Sequence, residues 1–499
     1  MRRREPGPAD RRCDTRWQSV ALALALAAGC LTCSSYAVDA VAPDTLAIDL
    51  GHADAAYAAR QWQEAFQAYQ RIADSYPSLA VAVFRLGKCA AKLGLSARAT
   101  DAFHHAATLS PTDPLVRGEL ADALRIEKRI DEAEYQYHRA IEIAGADAHP
   151  AWSVGLGLVA MARGSLSDAE RHFSKALRLA PDAAAIHYNL GEVSLRQNQI
   201  DDARHAYEAA IEHDEAFPIA HFGLGRVAER VGAIHDAARF YTRASEIDPD
   251  EPSFHAARAR VLARTGHPEE SAEAHADYRR ATALKYLNIG RAYMSVGQWR
   301  DALARLLIAE NADPNFPGVA LDRATVHLRL GEFAIAEDTL MAIEASGEAN
   351  RRVHRALAET RIARGNYLTA ATALDAALRR DPEWAQGLWL RGTARYKLGD
   401  ERGAEEDMRA ALRAAPDATP PKASLARILA EQDRDLTTAL SLAVSAMKAE
   451  PTPTHRTTLA LIYMRMGHVD QARLQINRAL REAPSDARVL SMHARIHRR

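Results

Sequence analysis

The residues whose chemistry is clearest in this sequence are arginines that return at a nearly fixed interval. Most are separated by one or two periods of about 34 residues. They form two series, which are Arg226, Arg260 and Arg291, and then Arg196, Arg230, Arg264 and Arg329. A guanidinium group can bind a carboxylate through two parallel hydrogen bonds. If the fold brings each series together, the sequence predicts a surface that binds an extended acidic chain.

Aromatic residues accompany these arginines. Tyr188 and Phe222 lie 34 residues apart, and Trp389 and Tyr396 form a second pair later in the chain. Such rings can anchor apolar side chains of a partner at low entropic cost. The alternative interpretation is that the arginines pair with neighbours such as Glu192 and Glu229 on a solvated face. The sequence leaves both interpretations open.

Catalytic chemistry is not indicated by any motif. The sequence contains no H-E-x-x-H, no phosphate-binding loop, no G-x-S-x-G and no dinucleotide fingerprint. Its 20 histidines are scattered, and the adjacent His104 and His105 would point about 100° apart on a helix. We therefore predict that the protein is not an enzyme and needs no cofactor or metal.

The net charge and the cysteine content argue against further classes of function and of site. The net charge is −1, which argues against electrostatic binding of nucleic acid by the whole chain. There are four cysteines, and their spacing gives neither a disulfide framework nor a zinc site. Cys30 and Cys33 form a C-x-x-C, but it lies within an apolar segment that resembles an export signal.

A repeated helical pattern positions the arginines and aromatics. Residues 283–316 read ALKYLNIGRAYMSVGQWRDALARLLIAENADPNF. Ile289, Gly290 and Tyr293 lie on one face of a first helix, and Gly297 is a residue that can end it. Small and apolar residues at helical spacing then predict a second helix, which Pro314 terminates. One such hairpin cannot bury its apolar face alone, so copies must stack.

This pattern resembles the tetratricopeptide repeat (TPR) family, whose unit is about 34 residues long. Thirteen units can be counted, and the resemblance implies an all-α, right-handed superhelical solenoid of antiparallel helix hairpins. The prolines that close units keep the same interval: Pro77, Pro111, Pro181, Pro249, Pro314, Pro382, Pro416, Pro451 and Pro484. The predicted array covers residues 46–486, and residues 487–499 are expected to form one capping helix.

Two irregularities predict bends in the array. The seventh unit is about three residues short around residues 267–282, and it has His275 where an aromatic or apolar residue is expected. The segment 416–421, PDATPP, is expected to break the register of the twelfth unit. The alternative is that a natural array drifts harmlessly at both places.

The resemblance also implies where ligands bind. In this family the first helices line a concave groove, and positions 2, 5, 9, 12 and 13 of each unit point into it. The arginines occupy positions 9 and 13, so they would form a basic stripe along the groove. Tyr188 and Phe222, at position 5, would flank that stripe, and Trp389 and Tyr396 would lie in unit eleven.

The N-terminal segment resembles an export signal. An arginine-rich stretch precedes an apolar run over residues 20–33, which is too short for a comfortable membrane span. Cleavage after Ala37 would make residues 1–37 a signal peptide and residues 38–45 a linker. Alternatively, Ala27-Ala28-Gly29-Cys30 resembles a degenerate bacterial lipobox, so that residues 1–29 are removed and Cys30 is lipidated. An uncleaved signal anchor is a third possibility.

Together these features predict a non-enzymatic TPR scaffold at the bacterial cell envelope. It would hold a protein or peptide partner in its groove, with a role in assembly, secretion or export. One alternative is an accessory subunit of a polysaccharide synthesis or export machine, in which Trp389 and Tyr396 would matter more than the arginines. Another is a cytoplasmic regulatory protein of the same family. The sequence does not give the oligomeric state.

Overall fold

The computed structural model describes residues 43–497, and within them the chain forms 26 α-helices with no β-strand. The helices span Pro43–Ala58 (α1), Trp62–Ser75 (α2), Ala80–Lys92 (α3), Ser96–Leu109 (α4), Pro114–Ile126 (α5), Ile130–Ala144 (α6), Pro150–Arg163 (α7), Leu166–Leu179 (α8), Ala184–Arg196 (α9), Ile200–His213 (α10), Pro218–Arg230 (α11), Ile234–Ile247 (α12), Pro252–Arg264 (α13), Pro268–Ser295 (α14), Trp299–Ala312 (α15), Val319–Leu330 (α16), Phe333–Ala345 (α17), Arg351–Ala363 (α18), Tyr367–Arg380 (α19), Ala385–Lys397 (α20), Glu401–Ala414 (α21), Thr419–Glu431 (α22), Leu436–Ala449 (α23), Pro453–Arg465 (α24), Val469–Glu482 (α25) and Ala487–His497 (α26). The predicted all-α solenoid is confirmed.

Short turns join successive helices into hairpins that stack in chain order. Several first helices begin with a proline, as α5 does at Pro114 and α11 at Pro218, where its missing N–H costs nothing. Glycines end other helices in the left-handed conformation. Gly164 has φ of 80° and Gly331 has φ of 82°, values that strain residues with a Cβ.

The core is built around one large side chain in the middle of most second helices. In the first six units these residues are aromatic and almost fully buried: Tyr69, Phe103, Tyr137, Phe173, Tyr207 and Tyr241. From unit eight onward, the buried equivalents are aliphatic: Leu306, Leu340, Leu374, Met408 and Ile476. Small residues face them on the first helices. A Cβ added to Gly225 would lie 2.5 Å from a ring carbon of Tyr241, so the close approach of the two helices requires glycine there.

Helix α14 is 28 residues long and runs through the boundary expected between units seven and eight. The prediction of a new helix beginning near residue 283 is therefore wrong. The stretch between Pro268 and Gly290 contains no glycine or proline and offers nothing to end a helix. The first half of α14 packs on α13 and its second half on α15. Helix α14 serves both as the second helix of unit seven and as the first helix of unit eight. With α14 counted twice for this reason, the helices before Ala487 form thirteen hairpins.

The continuous helix replaces the turn that joins neighbouring units elsewhere in the described chain. At the other described junctions a turn separates the second helix of one unit from the first helix of the next. Across α14 the two are collinear, so unit eight starts one helix length further along. Its end returns to the N-terminal units: Ala292 joins their apolar core, and Val296 lines a cavity of about 570 Å³ with Phe66 and Arg98.

The segment 416–421 does not interrupt the repeat. Helix α22 begins at Thr419, which is 34 residues after Ala385 at the start of α20, so the register of unit twelve is kept. Pro420 and Pro421 fall in the first turn of the helix, where proline is tolerated, and Pro416 lies before the helix begins. The prediction that this segment breaks the register is wrong.

The N-terminal end of the array differs slightly from the expected limit. Helix α1 begins at Pro43, inside the segment predicted as a linker. The predicted signal segment, Cys30 and residues 38–42 lie outside the described residues. At the other end, α26 buries Val489 and Ile496 against the last hairpin.

Candidate functional site

Four of the predicted arginines lie together in one groove. Arg226 and Arg230 come from α11, and Arg260 and Arg264 come from α13. A spacing of four residues puts two side chains on the same face of a helix, and stacking of neighbouring units aligns the two pairs. Leu195 and Glu229 complete the lining of this cavity, whose volume is about 380 Å³. We call it the arginine groove.

Two carboxylates occupy part of the arginine groove. Arg226 Nη1 donates to Glu192 Oε1 at 2.5 Å, and Arg260 Nη2 donates to Glu229 Oε2 at 2.6 Å. The alternative expected from sequence, in which the arginines pair with these glutamates, therefore describes Arg226 and Arg260. Both glutamates are largely buried, with side chains 12% and 17% exposed.

The other two arginines of the groove make only long contacts with their polar neighbours. Arg264 Nη1 lies 3.4 Å from Glu229 Oε1, and the Arg264 side chain remains 56% exposed. Arg230 Nη1 lies 3.4 Å from the amide oxygen of Asn198, which carries no charge. Four guanidinium groups thus face two carboxylates. Two positive charges in the groove lack a compensating charge among the described residues that line it.

Buried tyrosines hold the two glutamates in place. Tyr207 donates its hydroxyl to Glu192 Oε1 at 2.6 Å, and Tyr241 donates to Glu229 Oε2 at 2.6 Å. Burial, reinforced by the adjacent glutamates, raises the pKa of both tyrosines well above the usual range. They therefore remain protonated donors, and the glutamates are anchored from the core side of the helices.

The remaining predicted arginines do not line this groove. Arg196 Nη1 lies 3.5 Å from the carbonyl oxygen of Met161. Arg329 lies 3.8 Å from Glu359. Arg291 stands on the second half of α14 and donates to Asp322, which is 1% exposed, at 2.5 Å. The structure thus separates Arg291 and Arg329 from the four arginines of the groove.

The two flanking aromatics are half-buried and pack inward. The ring of Phe222 lies 5.2 Å from that of Tyr241 and 5.3 Å from that of Phe254. The ring of Tyr188 lies 5.7 Å from that of Tyr207, and burial raises the pKa of Tyr188 to about 12. Only parts of Tyr188 and Phe222 are therefore available to a ligand.

Trp389 and Tyr396 lie in unit eleven, far along the chain from the arginine groove. Trp389 Nε1 donates to Ser424 Oγ at 3.2 Å, and the hydroxyl of Tyr396 donates to Glu431. The guanidinium of Arg427 lies over the ring of Tyr396, with its carbon 4.9 Å from the ring centroid. Sequence reasoning missed Arg427, although it occupies position 9 of unit twelve and the same 34-residue count would have found it.

No other chemistry is indicated in the described part of the chain. No group of three or more His, Cys, Asp or Glu residues between 43 and 497 could hold a metal ion. None of the helices in this range is both long and apolar enough to cross a bilayer. Cys89 is buried, and burial raises the pKa of its thiol to about 12, so it is not an activated nucleophile.

Comparisons with protein-family models match the chain to a single family. Two models of the tetratricopeptide repeat match the chain, one over residues 50–114, 194–252, 287–350 and 355–419, and the other over residues 160–221 and 430–496. Comparison with curated proteins gives no match.

Solved structures that align with this chain include the following two. The crystal structure of the APC/C hetero-tetramer Cut9-Hcn1 aligns with a TM-score of 0.41 at 14% identity, covering 90% of this chain and 96% of that chain. The crystal structure of PilW, a type IV pilus biogenesis factor, aligns with a TM-score of 0.39 at 15% identity, covering 44% of this chain and 100% of that chain.

Proposed function

The chain belongs to the tetratricopeptide repeat family, and from that premise we propose that it is a non-enzymatic scaffold whose arginine groove binds an acidic segment of a partner protein. Tetratricopeptide repeats generally serve protein–protein interaction. The observation that carries the proposal is the charge imbalance of the groove, where Arg230 and Arg264 have no close carboxylate of their own.

Carboxylates of a partner protein would neutralise the remaining positive charge of the groove. Arg226 and Arg260 are already paired with glutamates at 2.5 and 2.6 Å, so they position those glutamates. Arg230 and Arg264 make only contacts of 3.4 Å, which an incoming carboxylate can replace with shorter bidentate hydrogen bonds. The exposed edge of Phe222 is then available to an apolar side chain of the same segment.

We expect replacement of Arg230 and Arg264 by glutamine to weaken binding of an acidic peptide at least about tenfold, because two charge-assisted hydrogen bonds are lost. The probe is a fluorescein-labelled peptide of alternating Asp and Leu, and fluorescence anisotropy measures its affinity. Binding by the wild type should also weaken as salt is raised, since the arginines are partly exposed. Arg226 is left intact because it holds a buried glutamate.

The matched control replaces Arg239 and Arg243 by glutamine. These arginines stand on α12 of unit six, their side chains are 84% and 55% exposed, and they lie outside the groove. The control should bind the peptide like the wild type, and both variants should keep the helical circular dichroism. Equal affinity of the groove variant and the wild type would contradict the proposal.

We further propose that the protein is exported to the cell envelope. The apolar run over residues 20–33, with arginines before it and small residues after it, supports this proposal. Mass spectrometry of protein purified from its native host should show an N-terminus at Val38, or one at Cys30 carrying lipid. An intact chain beginning at residue 1 or 2 in the cytosolic fraction would refute export.

A further inference from the structure

The end of α14 meets the first two units of the array across a cavity. Ala292 is 3% exposed and belongs to the same apolar cluster as the core of those units, and Tyr293 and Val296 pack against this cluster. Ser295 and Val296 also line a cavity of about 570 Å³, whose other walls come from α2 and α4. Side chains of units one, two and eight therefore surround one space, which we call the closing cavity.

The rest of the lining is mostly polar and belongs mainly to α2. Gln67, Gln70, Arg71 and Asp74 line the cavity, and their spacing of three and four residues puts them on one face of the helix. Helix α4 adds Arg98. Cavities that hold small ligands have volumes of roughly 300–1,000 Å³, so this space is large enough for a ligand.

Positive charge exceeds negative charge in the closing cavity. Asp74 is the one carboxylate among the described residues that line it, and it accepts from Gln70 Nε2 at 2.9 Å. The oxygen of the same amide, Gln70 Oε1, lies 3.4 Å from Arg98 Nη1. Arg71 is exposed and forms no ion pair with any residue in the range 43–497. Two guanidinium groups and one carboxylate leave one positive charge without compensation.

We propose that the closing cavity is a second binding site, separate from the arginine groove, for a single acidic side chain of a peptide segment. The carboxylate binds Arg71 and Arg98 through charge-assisted hydrogen bonds. The exposed amide of Gln67 carries donors and an acceptor, which pair with a peptide group of the same segment. Val296 provides apolar surface for the neighbouring side chain of the peptide.

One acidic side chain fits this cavity better than a phosphate or a nucleic acid. A phosphate monoester carries a charge of roughly −1.5 to −2 at pH 7. The cavity offers one uncompensated positive charge, and Asp74 repels any further negative charge. A base needs an open aromatic face for stacking. Phe66 is the one ring among the described lining residues and is 3% exposed, so it presents no such face.

A ligand in the closing cavity contacts α2, α4 and α14 together. A ligand that binds only one arrangement of a protein shifts the population toward that arrangement. The peptide therefore stabilises the contact between unit eight and the first two units and slows local opening there. Binding in this cavity is thus detectable at two places that are distant in the sequence.

The test replaces Arg71 and Arg98 by glutamine in the full chain. The probe is the fluorescein-labelled peptide Ala-Leu-Asp-Leu-Ala, with a matched peptide that has asparagine at its centre, and fluorescence anisotropy measures both affinities. We expect the double variant to bind the aspartate peptide at least about tenfold more weakly than the wild type does. The wild type should prefer the aspartate peptide to the asparagine peptide by a similar factor.

The matched control replaces Arg60 and Lys92 by glutamine. Both residues belong to the first two units, are exposed and lie outside the cavity lining, so this variant loses the same charge. It should bind the aspartate peptide like the wild type. Equal affinity of the Arg71→Gln and Arg98→Gln variant and the wild type, equal affinity of the two peptides, or an equal loss in the control would overturn the proposal. If the double variant lost its helical circular dichroism, Arg71→Gln alone decides by the same comparison, since Arg71 is exposed.

Hydrogen exchange shows whether the peptide lies between the units. Saturating aspartate peptide should slow exchange around residues 66–74 and around residues 290–298 in the same experiment. Slower exchange in only one of these segments, or in neither, would contradict a ligand held between units one, two and eight. Stronger competition by inorganic phosphate than by unlabelled peptide would overturn the assignment to an acidic side chain.

The arginine groove is tested separately by the Arg230→Gln and Arg264→Gln variant. That variant should keep its affinity for the single-aspartate peptide, since its substitutions are in units six and seven. Retained binding there, with loss in the Arg71→Gln and Arg98→Gln variant, supports a separate site whether or not the groove binds the alternating Asp-Leu peptide. If only the groove variant loses the single-aspartate peptide, the second site does not exist.

Discussion

Replacement of Asp407 by alanine is expected to lower the free energy of unfolding by about 3–5 kcal/mol, because it removes one partner from a buried ion pair. Asp407 is 3% exposed. Its carboxylate accepts from Arg391 Nη2 at 2.5 Å, from Arg391 Nε at 2.9 Å and from Arg395 Nη1 at 3.1 Å. Burial alone would lower the pKa of Arg391, but the hydrogen bonds from Asp407 and Asp375 outweigh it and raise that pKa.

Urea denaturation followed by circular dichroism measures this effect. Trp384 and Trp389 lie in the same unit, so their fluorescence reports whether the loss is local. The matched control is Asp375→Ala at the other end of the network, where the carboxylate is 38% exposed. A solvated ion pair contributes about 0–1 kcal/mol, so this control should change stability little. If Asp407→Ala were as stable as the control, the buried network would not hold unit eleven together.

Substitution of Arg280 by proline is expected to cost about 3 kcal/mol or more, because it falls in the interior of α14. Arg280 is exposed, so its own side chain contributes little packing. Proline would remove the backbone hydrogen bond to the carbonyl of Ala276 and press its ring against that carbonyl. Breaking α14 there also divides the one helix that units seven and eight share.

Two controls make the result specific to a continuous helix. Arg280→Ala removes the same side chain but keeps the helix, and it should be nearly neutral. Ala184→Pro places proline at the first position of α9, where units three, four, six, seven and thirteen already carry one, and it should be tolerated. Hydrogen exchange should show lost protection around residues 276–290 only in the Arg280→Pro variant. Undiminished protection there would mean that a turn, as the repeat count predicts, separates units seven and eight.

The helical solenoid could be predicted from sequence because each unit repeats the same local sequence signals for helices and turns. The same signals recur about every 34 residues: apolar residues at helical spacing, turn glycines such as Gly331 and closing prolines such as Pro314. Each of them sets the backbone conformation within a few residues of its own position. The same count placed Arg226, Arg230, Arg260 and Arg264 in successive first helices. It failed at α14, where a regular count suggested a boundary although the local sequence lacks any residue to end the helix.

The ion-pair partners of the charged residues could not be predicted from the repeat count. Arg226 pairs with Glu192 and Arg291 with Asp322, across neighbouring units, although both arginines hold the same position in their repeats. Which carboxylate is near enough depends on helix packing and on how deeply each acid is buried.

The sequence by itself determined the repeat, the helices and which residue types lie on each helix face. Only the tertiary structure decided which arginines converge, which are neutralised, and that Arg71 and Arg98 line one cavity with the end of α14. Helix formation depends on contacts within one turn of the chain. Charge compensation depends on distances of a few ångströms between side chains on different helices, which are 16 residues apart for Arg391 and Asp407 and 35 residues apart for Arg264 and Glu229. Those distances exist only once the helices are packed.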